Sequence, residues 1–345
     1  MTWTLVVMVV AAAAAPDAPL RSDRLYFGAG TPVTVRVDVA GSDDVALALM
    51  EADGTLLAPP RATRSGSVDV SALLPECLDL TRSCYLQCLV GGLPSGSALV
   101  FQPMLSRLAP RTEQARRPDG TPYTRIVGWG PPPEDGPRDG RVYSGLRVYP
   151  ERDVVLHTTL GDITVAMRPD EAPNTVWNFL HLSEGGFYDG VAFHRVVPLT
   201  RHGHPFVIQA GDPTGTGEGE PGYWLPIEPS RLPHEFGVIS MARADDPDSA
   251  GSQFFFCLSR DGTARLDGQY CAFGNAVDGA ATIRAIAQVE LADVSTGRPQ
   301  DPPVILAAVV VNAPPRTPGT GRPDRPVSET RSGPPAETRP RRKPR

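Results

Sequence analysis

The sequence predicts a mainly β protein with two folded domains, and three observations carry this prediction. The chain has 345 residues, which is enough for two domains of about 100 to 200 residues each. Apolar and polar residues alternate over many short runs, as they do in half-buried strands. Helical periodicity is confined to two stretches, and 38 Pro and 34 Gly mark frequent turns.

The first fifteen residues, MTWTLVVMVVAAAAA, place small residues after an apolar run and precede the sequence PDAP. This order is typical of the apolar part and cleavage region of a secretory signal, and the run is shorter than the roughly 20 residues that span a membrane. The positive charge that usually begins a signal is missing, because the first cation is Arg21. We predict that residues 1–15 are a signal that directs export to the periplasm or out of the cell. The alternative is a buried or frayed N-terminal segment of a cytoplasmic protein.

A first domain is predicted over residues 22–108 from its strand signals. In TPVTVRVDVA (31–40), four valines fall on one face of a strand and Thr34, Arg36 and Asp38 on the other. Similar runs follow at 45–54, 84–90 and 97–105, with Gly, Pro and Ser between them. Short strands at this spacing predict a small β-sandwich. No motif within it indicates a function.

The five cysteines form an odd set that does not match a metal site. Cys77, Cys84 and Cys88 lie close together without a fourth ligand nearby, while Cys257 and Cys271 fall in later strand-like runs. One disulfide among the first three would suit an exported protein, and buried thiols are the more common alternative. The two histidines of RHGH (201–204) also lack a third ligand. We therefore expect no metal and no cofactor.

Two segments have the composition of unfolded chain. Residues 109–150 are rich in Pro, Gly, Arg and Asp and predict a linker, with one possible strand at RVYSGLRVY (141–149). Residues 313–345 show no periodicity and predict a disordered tail. This tail holds nine Lys or Arg against three Asp or Glu, although the whole chain has a net charge of −6. A solvated basic terminus is the favoured interpretation, so no nucleic-acid partner is expected.

The second domain, predicted over residues 151–312, begins with two strand-like runs joined as a hairpin at Leu160–Asp162. In APNTVWNFLHLSEGGFYDG the apolar spacing becomes helical, with Pro173 suited to the first turn and Gly185 to the end. Five further strand-like runs follow, at 191–197, 206–211, 236–242, 252–258 and 270–275. A second helix is predicted at Ala280–Gln288, before a closing strand, PVILAAVVV.

Five motifs of this domain occur in one order: FHRVV, FVIQAGDPTGTG, GVISMARA, GSQFFFCLS and LDGQYCAFG. Together they resemble the cyclophilin family of peptidyl-prolyl isomerases, over roughly residues 153–312, about half of the chain. The resemblance implies a closed antiparallel eight-stranded barrel capped by two helices. It also implies that the partners are proline-containing polypeptides. No membrane span is expected, because the apolar run of residues 1–15 is too short.

The motif FHRVV sets a charged Arg195 among apolar and aromatic residues, where an unpartnered cation would carry a desolvation cost of several kcal/mol. Rotation about an X-Pro bond faces a barrier of about 18 to 20 kcal/mol from amide resonance. A fixed guanidinium can donate to the amide nitrogen only when the amide is twisted, and so stabilises the transition state. An ion pair in a barrel wall is the alternative for this arginine.

The resemblance implies the following roles for residues of this chain. Arg195 acts on the prolyl amide, and Gln209 and Gln253 orient Arg195 and the peptide. The proline pocket is lined by Phe206, Val207, Phe255 and Leu266, while Ala242, Arg243 and Ala244 supply backbone hydrogen bonds and Tyr270 borders the pocket. His194 belongs to the motif and is expected in the barrel wall.

This sequence departs from the family pattern at the rim. Val207 stands where the family usually has Met, Arg243 where it has Asn, Arg265 where many members have Trp, and Tyr270 where many have His. The loop PLTRHGH (198–204) is also longer than usual. Two functions therefore stay open: an active isomerase that assists the folding of exported proteins, and a catalytically weak module that binds proline-containing peptides or a protein partner.

Other chemistries are not indicated. The glycines of GDPTGTGEGEPG (211–222) do not fit the dinucleotide pattern, and no helical pattern follows them. No Ser or Cys stands in a recognisable nucleophile motif, which argues against a hydrolase.

Overall fold

A computed structural model describes residues 18–41, 44–106, 109–130 and 140–328 of the chain. These residues form two compact units. The first unit contains the residues up to Glu151 together with Asn312–Pro323, and the second contains Arg152–Val311 and the residues from Asp324 onward. The predicted signal and residues 329–345 lie outside the described residues.

Where it is described, the first unit consists of antiparallel strands with one short helix. Its strands pair as a three-stranded sheet in the order β1-β3-β6, a six-stranded sheet in the order β2-β11-β8-β7-β4-β5, and the hairpin β9-β10. The elements are β1 (Leu20–Ser22), β2 (Tyr26–Gly28), β3 (Thr34–Val37), β4 (Val45–Met50), β5 (Arg61–Thr63), β6 (Gly66–Asp69), α1 (Val70–Leu73), a 3-10 turn (Pro75–Leu78), β7 (Cys84–Val90), β8 (Leu93–Ser106), β9 (Ala109–Arg116), β10 (Pro122–Gly130) and β11 (Val142–Pro150).

One hydrophobic core joins the two larger sheets of this unit. The predicted valine face of β3 is buried, with Val35 and Val37 fully covered, and it packs into the same cluster as Leu47 of β4 and Leu86 of β7.

All five cysteines of the chain are buried free thiols. Burial raises the pKa of Cys77 to about 12 and that of Cys88 to about 11, so these thiols stay protonated at neutral pH.

The segment predicted as a linker contains ordered strands instead. Residues 109–150 supply β9, β10 and β11, and only residues 131–139 within them lie outside the described residues. The strand anticipated at 141–149 is β11, which lies between β2 and β8 in the six-stranded sheet. Composition alone favours a linker here, whereas β11 gains its order from pairing with β8, with Val142 opposite Ser106. The first unit therefore extends beyond the predicted 22–108.

The beginning of the predicted tail is also ordered. Residues 312–323 belong to the first unit, and Arg316 within them is only 1% exposed. Its guanidinium donates to both carboxylate oxygens of Glu151, at 2.9 and 2.8 Å, and lies 3.4 Å from the centre of the Tyr85 ring. Its backbone N–H donates to Gln87. The prediction of disorder from residue 313 onward is therefore wrong for 313–323.

The described residues of the second unit form ten strands and three helices. Its elements are β12 (Arg152–Thr158), β13 (Gly161–Met167), α2 (Pro173–Glu184), β14 (Arg195–Val197), β15 (Val207–Ala210), β16 (Val238–Met241), β17 (Phe254–Cys257), α3 (Arg260–Thr263), a 3-10 turn (Ala264–Leu266), β18 (Ala272–Asp278), α4 (Ala280–Ala287), β19 (Leu291–Asp293), β20 (Arg298–Pro299) and β21 (Ile305–Asn312). The predicted hairpin, both predicted helices and the closing strand are present.

Helix α2 starts where its proline predicts. Pro173 occupies the first turn, where no backbone donor is needed. The preceding Ala172 offers no capping side chain, and Glu228 accepts the backbone N–H groups of Asn174 and Thr175 instead, at 3.0 and 2.7 Å. In the described part of the chain, no helix is long and apolar enough to cross a membrane.

Eight strands of this unit form one antiparallel sheet, in the order β14-β15-β17-β16-β18-β13-β12-β21. The number of strands agrees with the prediction, but closure of the barrel is not confirmed, because no ladder joins the edge strands β14 and β21 within the described residues. A single bridge pairs Ala192 with Val304 just outside them. Phe193 and Gly190 also donate backbone hydrogen bonds to Pro303 and Ile305.

Candidate active site

Arg195 lies on the edge strand β14, directly opposite Gln209 of β15. Its Nη1 donates to Oε1 of Gln209 at 3.1 Å. Arg195 is partly buried and forms no salt bridge among the described residues, so the predicted alternative of an ion pair in the sheet is not what the structure shows. Burial lowers the pKa of Arg195 from its ordinary value, yet a guanidinium remains charged in proteins.

The hydrogen bonds continue from Gln209 to Gln253. Nε2 of Gln209 donates to Oε1 of Gln253 at 3.0 Å, and Nε2 of Gln253 donates to the carbonyls of Gly217 and Gly219 at 3.0 and 3.1 Å. Each amide can therefore adopt only one orientation in this series. The backbone of the loop thus determines that an acceptor oxygen of Gln209 faces Arg195.

The loop that supplies these carbonyls is held by two carboxylates. Asp212 is 1% exposed and accepts hydrogen bonds from Thr214 and from the N–H of Gly217. Burial acts to raise its pKa, but the hydrogen bonds outweigh burial and lower the pKa to about 2. Glu220 accepts the N–H of Ser252, the neighbour of Gln253, at 2.9 Å, and burial raises its pKa. The sequence indicated only that this loop was not a dinucleotide site. Its role as a support was missed.

Glycine is required where this loop leaves the sheet. Gly211 has φ +93°, and a Cβ there would lie 2.4 Å from the carbonyl oxygen of Ser252. A side chain at this position would therefore push the loop away from the segment that carries Gln253.

The predicted pocket residues come together in one apolar cluster beside Arg195. We define this apolar cluster by its buried members, which are Val207, Val238, Ala242, Phe255, Cys257, Leu266 and Ala272. Partly buried side chains pack against it, namely Val197, Phe206, Leu232 and Tyr270. The structure therefore brings Phe206, Val207, Phe255, Leu266 and Tyr270 together in or against this cluster. Three further members (Val238, Cys257 and Ala272) and two of the side chains packed against the cluster (Val197 and Leu232) were not anticipated. Alternation alone cannot tell this face of the strands from any other core face.

His234 packs against Phe255 of the cluster, and the sequence did not predict this contact. It is 1% exposed, its ring stacks on Phe255 with 6.2 Å between ring centres, and its nitrogens contact Asp267 and Ser240 at 3.0 Å each. Burial lowers the pKa of His234, so the neutral ring is favoured at neutral pH. Asp267 also accepts the backbone N–H of His234 and pairs with Arg260.

The segment Ala242–Ala244 is predicted to supply backbone hydrogen bonds to the peptide, and two of its N–H groups already have acceptors within the protein. The N–H of Ala242 donates to the carbonyl of Gln253, and the N–H of Ala244 donates to the hydroxyl of Ser249. Both donors are therefore used within the protein, so that of the three N–H groups only that of Arg243 is left for a bound peptide among the described contacts.

Two arginines border the apolar cluster. The guanidinium of Arg265 lies 4.8 Å from the centre of the Phe206 ring. That of Arg243 lies 4.6 Å from the centre of the Tyr270 ring and donates to the carbonyls of Gln269, Ala244 and Asp245. Tyr270 in turn meets Phe255 edge to face at 5.8 Å. Arg243 and Arg265, two of the four departures from the family pattern, thus both lie over rings that pack against the cluster.

No group of three potential metal ligands occurs among the described residues. His194, next to Arg195, is partly buried, and burial lowers its pKa.

The site thus combines a fixed cation, an amide series that orients it, and an apolar surface beside it. Such a site can bind an apolar ring and donate a hydrogen bond next to it, without a nucleophile.

The part of the chain that is similar to known proteins lies in the second unit. Residues 153–310 match the family model described as cyclophilin type peptidyl-prolyl cis-trans isomerase. A peptidyl-prolyl cis-trans isomerase of Synechococcus elongatus is 44% identical over 124 residues, covering 36% of this chain and 79% of the relative. An isomerase of Schizosaccharomyces pombe is 37% identical over 164 residues, covering 46% and 99% respectively. A solved cyclophilin type isomerase of Cryptosporidium parvum shows 31% identity and a TM-score of 0.43, covering 47% of this chain and 99% of its own.

Proposed function

The chain belongs to the family of cyclophilin-type peptidyl-prolyl cis-trans isomerases, and we propose that its second unit accelerates X-Pro isomerisation through Arg195. The observation that carries this mechanism is the position of Arg195. Its guanidinium is held by Gln209, forms no salt bridge among the described residues and stands beside an apolar cluster.

The isomerisation requires little more than a fixed hydrogen-bond donor beside an apolar surface. During rotation the amide nitrogen of proline becomes pyramidal and regains a lone pair, which the planar amide does not offer. A donor held next to that nitrogen forms its hydrogen bond in the twisted state only, and this difference lowers the barrier. The chain itself needs to move no proton and break no bond.

The apolar cluster would hold the proline ring. Phe255 and Leu266 are about nine-tenths covered or more, and Phe206 and Tyr270 are partly exposed, so the cluster presents an apolar surface with an open side. Burying a ring of this size against such a surface contributes roughly 25 cal/mol for each Å² removed from water. The backbone of Arg243 is available to bind the residue next to the proline.

We also propose that the substrates are proline-containing polypeptides and that the protein assists their folding. Slow X-Pro isomerisation takes tens to hundreds of seconds without a catalyst and can limit folding. Export is proposed from the apolar run of residues 1–15 alone. Mass spectrometry of the N-terminus of the protein, recovered from each cell fraction, tests export and cleavage together.

The mechanism is tested with Arg195→Ala in an isomerisation assay on an X-Pro peptide. Loss of one positioned donor commonly costs about 100-fold to 1000-fold in rate, and we expect a loss of that order in kcat/KM. Arg298→Ala, at an exposed arginine of the same unit, is the matched control. Equal activity of wild type and Arg195→Ala would remove Arg195 from the mechanism. Peptide binding by a wild-type protein that shows no catalysis would favour the binding-module alternative.

A further inference from the structure

The border of the apolar cluster carries two cations held on aromatic rings. Arg265 is exposed and its guanidinium lies over Phe206, while the guanidinium of Arg243 lies over Tyr270. Phe206 and Tyr270 both pack against the cluster of Phe255. Stacking restricts the motion of a guanidinium, so less entropy is lost when it binds an anion.

No carboxylate of the described residues neutralises the charge of either arginine. The donors of Arg243 end on backbone carbonyls, and neither Arg243 nor Arg265 forms a salt bridge with any described carboxylate. Other arginines of this unit are paired, as Arg260 is with Asp267 and Arg168 with Asp170. An arginine stacked on an aromatic ring and left without a carboxylate is available to an acidic group from outside.

Acidic residues next in sequence to Arg243 do not supply that group. Carboxylate oxygens of Asp246 and Asp248 accept backbone N–H groups, of Asp248 and Ile227 respectively, and none of Asp245, Asp246 and Asp248 is in salt-bridge contact with Arg243. Three guanidinium groups therefore lie next to the apolar cluster. Arg195 stands at the proposed reaction centre, and Arg243 and Arg265 stand at the border.

We infer that this unit selects X-Pro sequences with an acidic side chain within two residues of the proline, and that Arg265 is a specificity-determining residue. The inference rests on the proposed isomerase function. The proline ring occupies the apolar cluster, and a carboxylate of a neighbouring substrate residue pairs with the guanidinium of Arg265 or Arg243. A lysine at the same substrate position meets like charge and is disfavoured.

The expected effect of one exposed arginine is modest. Exposed ion pairs contribute little in water, so removing Arg265 should change the preference by about two-fold to five-fold. The preference should shrink as salt rises, because exposed charges are screened over about 8 to 10 Å at ionic strengths near 0.1 to 0.15 M. Arg265 gives the cleaner variant, because Arg243 also ties the backbone of Gln269 to that of Ala244.

The test compares three matched peptides that differ in one residue beside the proline, carrying Glu, Gln or Lys. Both kcat/KM and peptide affinity are measured at low and high salt for wild type, Arg265→Gln and Arg265→Glu. Arg298→Gln is the control, because it removes the same charge from an exposed arginine elsewhere on the unit. Wild type should favour the Glu peptide over the Lys peptide, Arg265→Gln should weaken this preference, and Arg265→Glu should reverse it.

Two outcomes separate the inference from the function on which it rests. The same ratio of Glu to Lys peptides in wild type and Arg265→Glu, in both affinity and kcat/KM, overturns the inference while leaving catalysis intact. If the protein binds Glu peptides preferentially but accelerates none of them, the specificity assigned to Arg265 stands and the isomerase mechanism fails.

Discussion

The side-chain amides of Gln209 and Gln253 are oriented in series. Nε2 of Gln209 donates to Oε1 of Gln253 at 3.0 Å, which turns Oε1 of Gln209 toward Arg195. The orientation of one amide thereby fixes the other, and the guanidinium is held by the last oxygen of the series. Gln209 is on this basis a positioning residue for Arg195.

Gln209→Leu should reduce kcat/KM by about 10-fold to 100-fold, since a hydrogen bond to a charged group contributes about 1.5 to 3 kcal/mol. The loss should fall mainly on kcat, because Arg195 acts in the twisted state while the apolar cluster still binds the proline. Steady-state kinetics on one X-Pro peptide separates kcat from KM. Gln300→Leu, at an exposed glutamine of the same unit, should behave as wild type. A rise in KM at constant kcat would assign Gln209 to substrate binding instead.

Gln253→Glu should release the glycine-rich loop. A glutamate at this position can still accept from Gln209, but a carboxylate has no N–H for the carbonyls of Gly217 and Gly219. We expect faster amide hydrogen exchange in peptides covering residues 212–220, together with lower kcat/KM. Unchanged exchange with lower activity would show that Gln253 acts on Arg195 without holding the loop.

Local signals account for what the sequence predicted correctly. Pro173 at a helix start, Gly185 at its end and the spacing of Val176 and Phe179 are all encoded within one segment, and α2 follows them. The position of Gln209, by contrast, was implied by the resemblance to the cyclophilin family, and the structure places it opposite Arg195.

The features that were missed depend on partners far away in the sequence. Residues 313–323 have the composition of a disordered tail, yet Arg316 finds Glu151 at a separation of 165 residues. The hairpin β9-β10 is an exception, because its two strands are neighbours in the sequence and only the Pro- and Gly-rich composition hid them. In the site, the loop around Asp212 reads as a flexible turn until Gln253, 41 residues later, is seen to bond its carbonyls. Composition reports the propensity of a segment, whereas these contacts come from packing.

Asp212 should titrate well below an ordinary aspartate. Its pKa is about 2 because hydrogen bonds to the charged form outweigh burial. A depressed pKa means that its stabilising contribution is present above the ordinary value near 4 and is lost as pH falls through about 2. The amide proton of Gly217, which donates to Asp212, should report this titration by NMR. A midpoint near pH 4 would contradict the strength of these hydrogen bonds, and Asp212→Asn should abolish the transition.

Arg316→Met should destabilise the first unit more than any change in an exposed tail would. Arg316 and Glu151 are each 1% exposed, so the substitution leaves a carboxylate buried without its main cation, a change that costs about 3 to 5 kcal/mol. Arg322 also contacts Glu151, at 3.3 Å, and should reduce this loss. Arg325→Met, at an exposed arginine nine residues further on, is the control and should leave stability unchanged. The free energy of unfolding is obtained from denaturant titration, with hydrogen exchange of first-unit peptides to identify the unit that unfolds.

The double variant Arg316→Met, Glu151→Met should be more stable than Arg316→Met alone, because it removes the buried charge together with its partner. If Arg316→Met matches Arg325→Met, residues 313–323 are not held to the first unit by this pair.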